Sequence, residues 1–378
     1  MQKKKVLVIT GRYLPGYKDG GPVRSLINLT EWMGDEYDFR IMCLDRDHGD
    51  TECYPDIKVR EYNRVGKAQV WYTPSFTDAE IEKLSKDADT VYVCGPYNDY
   101  ARMAMRLKKT GQIAAPLYVA SMGSFSPEAF RIKGFKKKLF ISFMKFMHMF
   151  DRISWSVTSK REEEELAAVI GKDAKCVIAS DLPRKELSEH RHVKSSGELK
   201  VIFLSRISRK KNLAIIPDIF RMIDDTVKIK LDIYGYPEDK DYLHECMGRF
   251  DDLRRTHPDC RWEYKGVADS GKVPQIFSEY DVFLFPTLGE NYGHVIAESM
   301  SAGCIPVISD TTCWLDLDDR GCGYVCSLND LSSFARPIEA LAAMTEEELS
   351  HKRARCYEYM KEVNKASAQD SGYRRIFG

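Results

Sequence analysis

The sequence lacks any excess of charge of one sign, since 57 lysine and arginine residues balance 57 aspartate and glutamate residues. A broad basic face is therefore not indicated, and we expect no nucleic-acid partner. No run of about 18 apolar residues is present, which excludes a membrane-spanning helix. The 378 residues, of which 43% are apolar and 30% charged, are typical of a globular protein with two domains.

Cysteine pairs with metal-ligand spacing are also lacking, because none of the 11 cysteines forms a CxxC pair. The first apolar run, residues 6–10, is too short for a signal-peptide core. We therefore expect free thiols in a cytoplasmic protein. Short DxD sequences, which can bind metal, begin at Asp45, Asp239 and Asp316. So short a pattern recurs by chance in a chain this acidic, and we expect no metal site.

Short apolar runs alternate with amphipathic stretches along most of the chain. Nearly continuous apolar runs are typical of parallel strands that are covered on both faces. Strands that alternate with helices form βαβ units, so we predict an α/β fold with doubly wound parallel sheets. The predicted strands are residues 5–10, 90–94, 116–120, 200–204, 228–234, 281–285 and 305–309.

The pattern runs twice, and a polar segment at residues 184–198 separates the two series. We interpret this segment as the linker between two Rossmann-like domains, residues 1–190 and residues 191–360. Residues 361–378 form a tail that we expect to pack back on the first domain. We expect the two sheets to face a cleft, and ligands bind such sheets at the carboxyl ends of their strands.

The most informative stretch is LFPTLGENYGHVIAESMSAGCIPVISD, residues 284–310. Glu290 lies in the turn after an apolar strand, and Glu298 lies eight residues later on the following helix, so both can face one ligand. The amides of Asn291, Tyr292 and Gly293 lie where a helix leaves its donors unpaired, which suits anionic or hydroxyl-rich ligands. Taken alone, two glutamates at this spacing are weak evidence, because they could be a helix cap and a solvated side chain.

Two further stretches follow predicted strands. In FLSRISRKKNL, residues 203–213, Arg206 and Lys211 are five residues apart across a turn and could hold a diphosphate. A solvated basic loop is the alternative. Gly20 and Gly21 precede a predicted helix with Pro22 at its start, which forms either a ligand loop or only a turn. The stretch is not GxGxxG, so a dinucleotide site is not indicated.

Together these stretches resemble the retaining nucleotide-sugar glycosyltransferases of glycosyltransferase family 4, which have the GT-B fold. The resemblance is carried by Glu290…Glu298 with the embedded GENYG, by MSAGCIPVIS after it, and by Arg206…Lys211. Supporting features are GCGYV at residues 321–325 and SMGSFSPEAF at residues 121–130, which is similar to the acceptor-side segment of the family. The resemblance covers residues 5–360 and is strongest over residues 200–326.

The resemblance implies a role for each matching position. Arg206 and Lys211 would hold the donor diphosphate, Glu290 would contact the sugar, and Glu298 would hold the ribose hydroxyls. The amides of Asn291, Tyr292 and Gly293 would bind sugar hydroxyls, the backbone near Val267 would meet the base, and Gly21 would offer an amide to the diphosphate or sugar. The nucleotide diphosphate sugar is then a substrate, no cofactor or metal is needed, and the anomeric configuration is retained.

One position departs from the family. Many relatives carry a histidine or an arginine before the glycine that is Gly123 here, whereas this chain has Met122, which cannot exchange a proton. Two alternatives to a hexosyl-type transferase therefore stay open. One is a non-catalytic partner subunit with the same fold, and the other is a nucleotide-sugar epimerase.

Residues 131–152, RIKGFKKKLFISFMKFMHMFDR, combine many lysines and arginines with phenylalanine, leucine, isoleucine and methionine. Such a helix can lie on an anionic membrane, or it can pack its apolar face on the first sheet with its lysines in water. The expected acceptor is a glycan or a lipid-linked molecule, and a lipid-linked acceptor would favour the membrane. The expectation is then a cytoplasmic enzyme of surface polysaccharide biosynthesis, peripheral on the inner face of the plasma membrane.

Overall fold

The computed structural model describes residues 2–127, 130, 134–187, 197–269 and 271–378. The chain divides into two compact units. The first unit comprises residues 1–185 and 366–378, and the second comprises residues 186–365. Most of the predicted linker at residues 184–198 lies outside the described residues.

The first unit is built on one eight-stranded sheet with the order β3-β4-β2-β1-β5-β6-β7-β8. Every neighbouring pair is parallel except β3 and β4. Its strands are β1 (Lys4–Ile9), β2 (Tyr37–Leu44), β3 (Tyr62–Val65), β4 (Ala68–Thr73), β5 (Thr90–Cys94), β6 (Leu117–Ala120), β7 (Ser154–Val157) and β8 (Cys176–Ile178). Its helices are α1 (Gly21–Met33), α2 (Asp78–Ser85), α3 (Asp99–Lys109), α4 (Gly134–Phe146) and α5 (Lys160–Ile170).

Both faces of this sheet are covered, because successive side chains of a strand point to opposite faces. In β1, Leu7 and Ile9 belong to one buried cluster, whereas Val6 and Val8 belong to another. The continuous apolar run of this strand therefore reflects two cores.

The second unit has a six-stranded, fully parallel sheet with the order β11-β10-β9-β12-β13-β14. Its strands are β9 (Leu199–Leu204), β10 (Ile229–Tyr234), β11 (Cys260–Gly266), β12 (Val282–Phe285), β13 (Ile305–Ser309) and β14 (Tyr324–Cys326). Its helices are α6 (Ile216–Phe220), α7 (Lys240–Thr256), α8 (Val273–Phe277), α9 (His294–Ser301), α10 (Leu317–Arg320), α11 (Ser332–Ala343) and α12 (Glu346–Gln369). The strand order reverses between β9 and β12, and such a switch point is where doubly wound sheets bind ligands.

Helix α12 begins with a capping box, and a buried ion pair joins it to the rest of the second unit. The Thr345 hydroxyl accepts from the Glu348 N–H while the Glu348 carboxylate accepts from the Thr345 N–H, which forms a capping box. Arg353, five residues after Glu348, pairs with the fully buried Asp281. The predicted helix with Thr345 as its N-cap is confirmed.

The last helix, α13 (Tyr373–Phe377), belongs to the first unit. Phe377 is fully buried, and its ring meets those of Tyr37, Phe39 and Tyr92 edge-on at 5.5–5.7 Å. The C-terminal residues therefore complete one of the two cores of the first sheet.

The predicted fold class is confirmed, and each of the seven predicted strands is present. Strands without a continuous apolar run escaped prediction. In β11, for example, exposed and partly buried positions alternate after Cys260, because it is an edge strand. No helix within the described ranges is both long and apolar enough to cross a bilayer.

We predict that Phe377→Ala lowers the free energy of unfolding of the first unit by about 3–5 kcal/mol, because it leaves a cavity among the rings of Tyr37, Phe39, Tyr92 and Tyr373. Urea unfolding measures this loss. Arg374→Ala on the same helix breaks an exposed ion pair with Glu36 and exposed hydrogen bonds to the Ala368 and Gln369 carbonyls, and it serves as the control with an expected loss below about 1 kcal/mol. Equal losses in the two variants would show that the aromatic contacts do not hold the segment.

Candidate functional site

The two charged stretches of the second unit lie side by side. Strand β9 leads into a short 3-10 turn, Arg209–Lys211, and its neighbour β12 leads through residues 286–293 into α9. Because parallel strands end at the same edge of a sheet, both loops emerge at the carboxyl edge, at the switch point.

Hydrogen bonds join these two loops. The Leu288 N–H donates to the Lys210 carbonyl at 2.8 Å, and the Asn212 side-chain amide donates to the Pro286 carbonyl at 3.0 Å. Asn212 adopts a left-handed conformation with φ 58°, which asparagine tolerates better than most residues. The backbone of one loop therefore positions that of the other.

Lys211 and Glu290 form an ion pair at this junction. Their side chains are only 11% and 12% exposed, so the pair is largely withdrawn from water. Burial lowers the pKa of the Lys211 ammonium below its usual range, since desolvation disfavours the charged form, whereas the Glu290 carboxylate acts in the opposite direction. The ammonium also lies 5.5 Å from the centre of the Phe285 ring.

Thr287 is a site residue that the sequence analysis missed. Its fully buried hydroxyl lies 3.2 Å from both the Lys210 carbonyl and the Glu290 carboxylate, and it accepts from the Gly289 N–H. It thus ties the 3-10 turn to the loop at residues 286–293, which we call the glutamate loop. The sequence did contain a signal for this residue: Thr287 directly follows Pro286, where the predicted strand ends, in a loop that holds several candidate site residues.

The glutamate loop ends at Gly293, which caps α9 in a left-handed conformation with φ 75°. A Cβ atom at this position would lie 2.9 Å from Cδ1 of Ile296, so both conformation and space favour glycine. Glu298, on the second turn of α9, is buried at 8% exposure. The structure therefore places Glu290 and Glu298 at the turn and on the helix, as the sequence analysis expected.

Arg206 contacts a different carboxylate from Lys211. Its guanidinium pairs with Glu238 at 3.2 Å, and both side chains are exposed. Arg206 is nevertheless close enough for its charge to contribute to the lowered pKa of Lys211. An exposed pair of this kind exchanges readily for another anion, because its own stabilisation is small.

Val267 lies at the same edge of the sheet, directly after β11, and is exposed. The loops after β9, β10 and β11 approach one another closely here. The Gly235 N–H donates to the Gly266 carbonyl, and a Cβ on Gly235 would lie 1.8 Å from the Ser205 carbonyl oxygen. Glycine at this position therefore lets three strand ends meet.

Gly21 and Met122 belong to the first unit, whereas the other predicted site residues belong to the second. Gly21 is the first residue of α1, and Met122 follows β6 in a left-handed conformation with φ 49°. The buried Glu162 carboxylate holds the same loop by accepting from the N–H groups of Gly123 and Thr158.

The DxD sequences that begin at Asp45, Asp239 and Asp316 have structural partners. Asp47 accepts from the N–H groups of Tyr17 and Lys18, Asp239 caps α7, and Asp316 accepts from the Tyr359 hydroxyl. Across the part of the chain that the structure describes, no group of three or more histidine, cysteine, aspartate or glutamate residues could hold a metal ion.

Most of the second unit matches a known protein family. Residues 184–363 match the model of the family described as Glycosyl transferases group 1. This range contains the 3-10 turn, the glutamate loop and Val267, and the match confirms the resemblance found in the sequence. No curated protein matches the chain at a significant level.

Solved structures share the fold over nearly the whole chain. HepE of Anabaena in complex with UDP and glucose has a TM-score of 0.70 at 15% identity and covers 97% of this chain and 98% of its own. The E. coli trehalose-6-phosphate structure bound with UDP-2-fluoro glucose has a TM-score of 0.69 at 10% identity, with 99% of each chain covered. Sucrose-phosphate synthase of Thermosynechococcus elongatus has a TM-score of 0.69 at 14% identity, also with 99% of each chain covered. At such identities the likeness shows the fold, which is GT-B.

We predict that Lys211→Met lowers the free energy of unfolding by about 3–5 kcal/mol, because it leaves the Glu290 carboxylate buried without a cation. Glu290→Gln should cost less, since a buried ammonium with a lowered pKa can release its proton. The double variant should cost less than the sum of the two. Urea unfolding of all three variants measures the coupling free energy.

The exposed Arg206–Glu238 pair supplies the control for this cycle. Arg206→Met and Glu238→Gln should each cost less than about 1 kcal/mol and add independently. Coupling at Lys211 and Glu290 no larger than in this control would contradict a stabilised buried pair.

Proposed function

We propose a reaction from the premise that residues 184–363 belong to the glycosyl transferases group 1 family. The chain transfers a hexosyl-type sugar from a nucleotide diphosphate sugar to a glycan or lipid-linked acceptor, and it retains the anomeric configuration. The observation that carries this proposal is the buried Lys211–Glu290 pair, which lies at the carboxyl edge of the sheet beside the start of α9.

The diphosphate is the group that the cations suit. Arg206 can leave Glu238 for a phosphate, because its present pair is exposed. Lys211 supplies a positive charge that is already fixed in place, and the N-terminus of α9 adds a partial positive charge nearby. Such preorganised charge stabilises the departing diphosphate without a metal ion.

Other residues at the carboxyl edge of this sheet would bind the sugar and the nucleoside. Glu290, oriented by Lys211 and Thr287, would accept hydrogen bonds from sugar hydroxyls, and the amides of residues 291–293 would donate to them. Glu298 would hold the ribose hydroxyls and the backbone near Val267 would meet the base. Support comes from HepE and the E. coli structure, which hold UDP with glucose and UDP-2-fluoro glucose. The role of Gly21 in the first unit, an amide for the diphosphate or sugar, stays a prediction that the resemblance implies.

In the proposed reaction the bond from the anomeric carbon to the diphosphate breaks as the bond to the acceptor oxygen forms on the same face. The proton of the acceptor hydroxyl passes to the departing phosphate oxygen. Met122 takes no part in proton transfer, because a thioether cannot exchange a proton. The protein contributes positioning and electrostatic stabilisation.

The exposed apolar face of helix α4 supports an acceptor that lies at a membrane. Ile141 and Met144 are buried, whereas four apolar side chains on the other side of the helix are 58–82% exposed: Phe135, Leu139, Phe143 and Phe146. Their spacing of three to four residues places them on one helix face. The alternative in which the whole apolar face packs on the sheet therefore accounts for only part of the helix. Residues 131–133 of the predicted segment lie outside the described residues.

Lys136, Lys138 and Lys145 are exposed beside this apolar stripe. A basic and apolar face of this kind complements an anionic lipid surface, where each basic residue contributes about 1 kcal/mol. We therefore propose that α4 docks on an anionic membrane. A lipid-linked acceptor in surface polysaccharide biosynthesis, at the cytoplasmic face of the plasma membrane, would explain such docking.

We predict that the purified chain, given a panel of UDP-, GDP- and ADP-sugars with lipid-linked glycan acceptors, forms a product whose anomeric signal in NMR matches that of the donor. Arg206→Ala should lower kcat/KM by at least about tenfold, since it removes a diphosphate contact. Arg209→Ala is the matched control, because Arg209 is an exposed arginine of the adjacent turn that pairs with Glu245.

Other products would indicate other functions. An inverted linkage would contradict retention, and conversion of the donor without an acceptor would indicate an epimerase. Nucleotide binding in calorimetry without transfer or hydrolysis, together with activation of a partner enzyme, would indicate a non-catalytic subunit.

We predict that the chain floats with vesicles containing phosphatidylglycerol and not with vesicles of phosphatidylcholine alone. Phe143→Ser with Phe146→Ser should weaken this binding by at least about tenfold, because two apolar side chains no longer enter the lipid. Met222→Ser, at an exposed methionine of the second unit, is the control. Equal flotation of the control and the double variant would contradict docking through α4.

A further inference from the structure

A tryptophan outside the recognised motifs holds the glutamate loop. Trp314 follows β13, is 5% exposed, and donates from its indole N–H to the Tyr292 carbonyl at 2.6 Å. The Cys313 thiol, a weaker donor, lies 3.3 Å from the same carbonyl oxygen. The Tyr292 carbonyl therefore faces the segment at residues 313–314.

This contact sets the direction of one particular amide. In a trans peptide the C=O and N–H bonds point in opposite directions, so the Gly293 N–H points away from Trp314. Gly293 is buried, and among the residues that the structure describes its N–H has no protein acceptor. A buried donor in this state is expected to meet a ligand or water.

The indole is itself fixed from both sides. Its ring meets the Tyr292 ring at 5.4 Å and the Tyr359 ring of α12 at 6.1 Å, both edge-on. The Tyr359 hydroxyl donates to Asp316 at 2.7 Å, two residues after Trp314. A rotation of the peptide between Tyr292 and Gly293 would therefore break the indole hydrogen bond within a packed cluster of aromatic rings.

We infer that Trp314 is a positioning residue for the donor sugar: it holds the Tyr292 carbonyl so that the Gly293 N–H is presented to the sugar of the nucleotide diphosphate sugar. This inference rests on the proposed function, in which the amides of residues 291–293 meet the sugar. Because Arg206, Lys211 and Val267 do not depend on this peptide, loss of the indole N–H weakens sugar recognition and spares the nucleoside diphosphate.

The test is calorimetry of wild type and Trp314→Phe with UDP and UDP-glucose, and with the corresponding GDP and ADP pairs. For the pair that wild type binds, the variant should bind the sugar nucleotide at least about tenfold more weakly. Its affinity for the nucleoside diphosphate should stay within about threefold. Cys313→Ala should change neither affinity by more than about threefold, because a thiol is a weak donor.

Trp262→Phe is the matched control, because the Trp262 indole N–H donates to the Phe250 carbonyl at 3.0 Å in the same unit, away from the glutamate loop. It should leave both affinities unchanged. If Trp314→Phe weakens both ligands equally, or neither, Trp314 is only a structural residue and the inference is wrong. If wild type binds neither ligand of any pair, the proposed function fails, and the inference fails with it.

Discussion

The site depends on one buried ion pair, between a lysine and a glutamate that lie in the loops after two neighbouring strands. Removing both charges from water is costly, and a buried ion pair is weak evidence for stability. Its value here lies in geometry, because Lys211 and Glu290 meet in one arrangement that the Thr287 hydroxyl and the backbone bonds of Lys210 and Pro286 reinforce. In the proposed reaction, the same arrangement would offer the donor a fixed cation and a fixed carboxylate.

The sheet order makes this meeting possible. Strands β9 and β12 are neighbours although β10 and β11 lie between them in the chain, so the loops that follow them share one edge. Gly235 lets the loop after β10 approach Ser205, and Gly293 lets the glutamate loop turn into α9. Trp314, from the loop after β13, then holds the far side of the glutamate loop. Residues from the loops after β9 and β13 thus support the glutamate loop that follows β12.

Much of the fold was predictable, because buried parallel strands are continuous apolar runs and each of the seven predicted ones is present. Edge strand β11 was not, since only alternate positions face the core. The candidate site was predictable in part. The two glutamates, Arg206 and Lys211 were found by their spacing, whereas Thr287 and Trp314 were missed because each acts through a contact with another loop. Helix α4 shows the same limit, since a helical pattern does not tell which apolar positions a neighbour covers.

By itself the sequence determined the two series of parallel strands, the turn that carries Glu290 and the resemblance to a transferase family. These depend on local periodicity and on motifs within a few tens of residues. Only the tertiary structure decided that Lys211 pairs with Glu290, 79 residues away, while Arg206 pairs with Glu238. It likewise decided that Phe135, Phe143 and Phe146 of α4 are exposed, whereas Phe140 packs against the ring of Tyr97. The physical reason is that strand order and helix burial are set by the packing of whole elements, and residue spacing does not encode which of them become neighbours.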